Sequence, residues 1–168
     1  MSLSAPRREG WTALNITMHW LIVLFIIIQY IDSDWMTHVW RAMHRGTPVD
    51  SSAVTLAWVH IVFGTLVLVA ALVRLWDRYA RGRPEHPGEE PNWALWLAKV
   101  THFLIYAILI VMPIAGLIAW FSGSREIGEI HTFFWTPLLI LVGVHIIGAL
   151  VQQFYFKTDV LKRIVRPA

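Results

Sequence analysis

Four long apolar runs, parted by polar segments rich in Pro and Gly, set the pattern of the chain. They occupy residues 14–35, 53–75, 93–120 and 130–156. Each meets or nears the ~20 residues a helix needs to cross a hydrocarbon core about 30 Å thick. All are far longer than strands, and their apolar residues do not alternate. The predicted fold is therefore all-α: a transmembrane four-helix bundle, one membrane domain over residues 1–168. Residues 32–52 read as a polar loop with turn signals at Gly46, Thr47 and Pro48. Ser51 or Ser52 is placed to cap the second span. The segment WDRYARGRPEHPGEEPNW reads as a surface linker, and FSGSREIGE as a short loop before the last span.

Composition agrees with a bilayer protein. Hydrophobic residues make up 57% and charged ones 15%, the latter well below the ~25% of soluble chains. Several of the ten tryptophans stand at the ends of the apolar runs, where amphipathic rings anchor to headgroups. Four spans return the chain to the side on which it began. Eleven basic residues fall on that side: Arg7, Arg8, Arg74, Arg78, Arg81, Arg83, Lys99, Lys157, Lys162, Arg163 and Arg166. The other side has three, Arg41, Arg45 and Arg125. This positive-inside bias predicts that both termini are cytoplasmic. It also accounts for the net charge of +3 without a nucleic-acid partner. The basic start MSLSAPRREGW leads into a long span with no small-residue cleavage site, so it reads as a retained tail.

Histidine supplies the chemistry. In HTFFWTPLLILVGVH, His131 and His145 are fourteen residues apart, roughly 21 Å along a helix and almost on one face. Topology assigns a depth to every intramembrane histidine. His60 and His131 lie towards the periplasmic surface; His19, His102 and His145 lie towards the cytoplasmic one. A single histidine in a span can serve as an interhelical hydrogen-bonder, but unrelated bonders need not sort into two levels. Cysteine is absent, which excludes disulfides, iron–sulfur ligation and covalent c-type haem. Structural zinc prefers four ligands, whereas the outer level offers two imidazoles. Facing imidazoles suit non-covalent haem with bis-histidine ligation. Gly64, Gly143 and Gly148 would let a flat macrocycle approach the backbone, and Arg74 is placed for inner-haem propionates. Pro137 should bend the last span between its two histidines. His38, His44 and His86 read as solvated loop residues.

The motifs TMHW (His19), WVHIVFG (His60), THFLIY, GEIH (His131), GVHIIGAL (His145) and YFKTDVLKRIVRP resemble the bacterial cytochrome b561 family. These dihaem inner-membrane cytochromes are similar to the b-type subunits of formate dehydrogenase and nickel–iron hydrogenase. The likeness runs from about Thr12 to Pro167. It implies that His19 and His145 hold the inner of two haem b groups and His60 and His131 the outer. Depth alone had left His102 open as an inner ligand, and the resemblance moves it to the vicinity of the haem or a quinone.

The resemblance further implies electron transfer between the periplasmic face and membrane ubiquinone, as in a superoxide:quinone oxidoreductase located in the bacterial inner membrane. His19, His102, Gln152 and Tyr155 mark the expected quinone neighbourhood, since a quinone needs polar donors at the rim of an apolar cleft. Two departures stand out: some members have histidine in place of Gln152 or Gln153, and the periplasmic segments are nearly charge-balanced. The alternatives are an electron-carrier subunit serving a periplasmic redox partner, and a haem-free transporter or proton relay.

Overall fold

The computed structural model describes residues 10–82 and 90–167. Three helices of similar length come first: α1 (Ala13–Arg45), α2 (Ser51–Arg81) and α3 (Asn92–Ser122). A short α4 (Arg125–Phe133) runs into α5 (Trp135–Phe154), and a single turn, α6 (Val160–Arg163), closes the tail. Four stretches, counting α4 and α5 as one, are long and apolar enough to cross a membrane. Leu24, Ile27, Ile140 and Ile147 lie open on the outside, as expected of a surface that meets lipid. The chain is a multi-pass membrane protein.

The first helix corrects the sequence reading. Residues 33–45, expected in a loop, continue α1 to Arg45. Their polar residues mask an apolar stripe: Met36, Val39 and Ala42 recur at helical spacing, Met36 and Val39 pack with Ala53 and Ala57 of α2, and Ala42 is buried. Gly46 ends the helix at φ 65°, with its N–H on the carbonyls of Ala42 and Met43, a left-handed cap that glycine adopts without strain. At 33 residues α1 is about 50 Å long and must project beyond the hydrocarbon. The cap of α2 is Asp50, not Ser51 or Ser52; the Ser52 hydroxyl donates to the Asp50 carboxylate at 2.7 Å.

The break between α4 and α5 falls at Phe134. Pro137 has no N–H to offer the carbonyl four residues back, that of Phe133, and its ring crowds the same carbonyl. The helix is therefore interrupted between His131 and His145, three residues before the proline.

Both ends of the chain meet at one end of the bundle. The Trp20 indole donates to the Ile164 carbonyl at 3.0 Å. Thr12 accepts from the Asn15 N–H and donates to the buried Asp77 carboxylate of α2 at 2.6 Å. At the opposite, distal end, His44 reaches the Gly123 carbonyl and lies tilted against the Trp40 ring, while Arg125 donates to the His44 carbonyl. His44 is thus a bonded helical residue and not a solvated loop one. His38 is also helical but exposed, and His86 lies outside the described residues. Midway, Ile22, Val67, Ala70, Ala71, Ile108, Leu109 and Leu138 form an apolar layer across α1, α2, α3 and α5.

Thr12→Ala should remove both a helix cap and a hydrogen bond to a buried carboxylate, together roughly 2 kcal/mol. The unfolding midpoint in detergent, followed by circular dichroism, should drop by several degrees, while Thr12→Ser should match the parent. An unchanged midpoint in the alanine variant would show that this latch does not hold α1 to α2.

Candidate functional site

The apolar layer separates two levels of histidine. α1 packs along α2, and α3 approaches α4 and α5. Among the described residues no Cα of α1 or α2 comes within 8 Å of one in α4 or α5. Side chains cross that gap, histidines among them.

At the distal level His60 of α2 faces His131 of α4, with ring centroids 6.2 Å apart and planes at 76°. Each ring is oriented by an oxygen acceptor at Nδ1. The His60 Nδ1–H donates to Asp32 Oδ1 at 2.7 Å, and the His131 Nδ1–H donates to the Met112 carbonyl at 2.7 Å. A neutral imidazole that donates at Nδ1 keeps its lone pair on Nε2, the form a metal binds. Asp32, expected in the loop, is instead buried within α1 at 5% exposure. One turn earlier, Gln29 donates its amide to the His60 backbone carbonyl at 2.8 Å. Gly116 of α3 makes room for His131: a Cβ there would lie 2.8 Å from the imidazole Nδ1.

At the terminal level His145 of α5 stands between His19 of α1 and His102 of α3. Its ring centroid is 6.2 Å from His19, at 67°, and 4.9 Å from His102, at 84°. The His102 Nδ1–H donates to the Ala98 carbonyl at 2.6 Å. His19 differs in kind. Its Nδ1 lies 2.9 Å from Arg74 Nη1, and a guanidinium can only donate, so this nitrogen accepts. Arg74 also donates through Nε to Asn15 Oδ1 at 3.0 Å, and Asn15 returns a bond to the Arg74 carbonyl.

Among the described residues no three His, Cys, Asp or Glu side chains converge as a metal cage; the levels instead offer imidazoles that face one another. A metal–nitrogen bond of about 2 Å on each side, plus about 1 Å to each ring centre, sets trans imidazoles about 6 Å apart. The His60/His131 and His19/His145 separations fit that spacing. The His102/His145 separation is too short for it.

The other sequence candidates lie apart. Gln152 donates to the buried carboxylate of Glu90 at 2.8 Å. Tyr155 is 76% exposed at the end of α5 with its ring against Phe156. Gly143 and Gly148 face open space, and Gly64 packs on the Gln29 side chain. Sequence reasoning missed Asp32, Gln29 and Gly116 as parts of the distal level. Two polar residues three apart in an apolar run were the available signal for Gln29 and Asp32.

The chain is similar to known proteins over nearly its whole length. The profile of the prokaryotic cytochrome b561 family matches residues 10–167. Cytochrome b562 of Cereibacter sphaeroides is 30% identical over 164 residues, covering 96% of this chain and 98% of that protein. A probable superoxide oxidase, CybB, of Yersinia pestis is 23% identical over 179 residues, covering 94% and 96%. With nearly the whole length matched, the chain belongs to the prokaryotic cytochrome b561 family, membrane proteins that bind b-type haem and transfer electrons across the bilayer.

Proposed function

We propose that the protein carries electrons between the periplasmic face and membrane ubiquinone through two haem b groups. His60 and His131 hold one at the distal level, and His19 and His145 hold the other at the terminal level. The observation that carries this reading is the pair of 6.2 Å imidazole separations at two depths. Haem b held there supplies a reversible one-electron couple. The excess of basic residues in the terminal-side segments supports cytoplasmic termini and a distal level that faces the periplasm, in a bacterial inner membrane.

The chain's own residues have distinct tasks. Asp32 and the Met112 carbonyl hold the Nδ1 protons of the distal histidines and so keep Nε2 free to ligate. Gly116 lets His131 lie close against α3. The central layer around Leu138 excludes water between the levels. At the terminal level His19 would hold the haem through Nε2 with its proton on Nδ1, and Arg74 would then be free for a propionate. His102, its ring 4.9 Å from that of His145, would border the haem or the quinone. Gln152 and Tyr155 are the remaining quinone candidates.

The finer reading is that superoxide gives its electron at the distal face, becoming O2, and that ubiquinone takes two electrons and two protons to form the quinol. One observation favours it. Arg41, Arg45 and His38 gather round a single hollow of about 450 Å³ on the distal part of α1, with Asp34, Thr37 and Thr47 completing its wall. The distal segments are balanced in total, yet here the charge is locally cationic and suited to drawing in a small anion.

His131→Ala and His60→Ala should each lower haem content from about two per chain to one, and His145→Ala and His19→Ala should do the same at the other level. His102→Ala should keep both. Pyridine haemochrome assay against protein concentration measures this; a haem lost with His102 but not with His19 would break the terminal pairing. A colourless purified protein would remove both haem groups and favour a haem-free proton relay.

Gly116→Ala should mimic His131→Ala in part, because the new methyl must push the imidazole aside. Haem content should fall towards one per chain, and full retention would show that His131 has freedom to move. Mixing superoxide with oxidised protein and ubiquinone should produce reduced haem bands within the mixing time. Bands that respond only to a periplasmic protein donor would make the chain a carrier subunit.

A further inference from the structure

We infer that Asp32 and Arg74 polarise the two levels, so that the distal site has the lower reduction potential and the internal step from the distal to the terminal level runs downhill. This rests on the bis-imidazole reading above and adds a direction to it.

The two levels are alike in their ring separations and opposite in the charge beside one ligand. At the distal level a carboxylate faces His60. Asp32 is 5% exposed, its Oδ1 accepts from the His60 Nδ1–H at 2.7 Å, and its Oδ2 has no hydrogen-bond partner among the described residues. A carboxylate with one oxygen unengaged is a strong acceptor, and it pulls the Nδ1 proton towards itself. The imidazole gains anionic character, becomes a better donor at Nε2, and favours the more positive, oxidised iron. At the terminal level a guanidinium faces His19, with Arg74 Nη1 2.9 Å from its Nδ1. Whether Arg74 stays on His19 or pairs with a propionate, its charge remains at that level. A nearby cation disfavours the oxidised iron and raises its potential.

Charge acts strongly here because the surroundings are poor in water. His60 and Arg74 share α2, fourteen residues apart and so roughly 21 Å along its axis. Each charge therefore acts mainly on its own level. Transfer from distal to terminal oxidises one site as it reduces the other, the donor at the distal face and the quinone at the terminal side closing the balance.

The test is an optical redox titration of the purified, haem-loaded protein, following the α-band. Two one-electron components are expected in the parent, and His131→Ala should delete the one of lower potential. Deletion of the higher component would overturn the inference. Retention of both haems by His131→Ala would instead overturn the ligation reading, and the inference with it.

Asp32→Asn keeps an acceptor but removes the charge. It should raise the lower component by a tenfold change in the oxidised-to-reduced ratio, 59 mV for one electron. Asp32→Glu should stay near the parent. Arg74→Gln should lower the upper component and leave the other in place. Unmoved components in the Asn and Gln variants, or equal shifts for Asn and Glu at position 32, would overturn the inference. If Asp32→Asn sheds its distal haem, the order of potentials assigned with His131→Ala still decides.

Discussion

A histidine inside a bilayer must satisfy its ring nitrogens from the protein, because lipid offers no partner. That constraint organises this bundle. His60 finds a carboxylate on α1, His131 a carbonyl on α3, His102 a carbonyl one turn back on its own helix, and His19 a guanidinium on α2. Three of these bonds tie one helix to another. They fix ring orientation and proton position together: His60 and His131 keep Nε2 open, whereas the Arg74 bond leaves the His19 proton on Nε2. Met112, whose carbonyl receives His131, sits beside Pro113, which interrupts the backbone ladder of α3.

Much of this was legible in the sequence. Four spans, two levels of histidine and a break before Pro137 follow from hydropathy, topology counting and the missing proline N–H, all of them local or additive signals. What failed was of another kind. Residues 33–45 are polar enough to pass for a loop, and only the Met36, Val39 and Ala42 stripe, seen once α2 is beside it, explains why the helix continues. Asp32 was counted as a periplasmic surface charge because a carboxylate buried in a span is costly. Its cost is offset by His60, and that partner lies twenty-eight residues away in sequence. Gly116 was invisible for the same reason. A glycine's role is to leave space, and which neighbour uses the space depends on a helix that has not yet been laid down.

The last span shows why one broken helix serves both levels. His131 belongs to α4 and His145 to α5, with the break at Phe134 between them. A straight helix would carry both rings along one line. The break lets α4 lean on α3, where Gly116 and Met112 receive His131, while α5 carries His145 between His19 and His102. Leu138, at the start of α5, then packs against α1, α2 and α3 in the central layer. The proline that costs a hydrogen bond thus marks the junction between the short α4 helix that carries His131 and the α5 helix that carries His145.

Symmetry of ligation with asymmetry of charge is the consequence that matters for function. Two sites with the same imidazole spacing and identical surroundings would hold an electron equally well, with no drop between the levels. Here the charged neighbours differ in sign, and both contacts are made between α1 and α2. Asp32 reaches across to α2 at one depth, and Arg74 reaches back to α1 at the other. α1 and α2 also pack directly along their length, with α1 latched to α2 through Thr12 and Asp77 at the terminal end. The two most closely packed helices therefore hold both charges together with His19 and His60, while α4 and α5 on the far side of the gap bring His131 and His145 to face them.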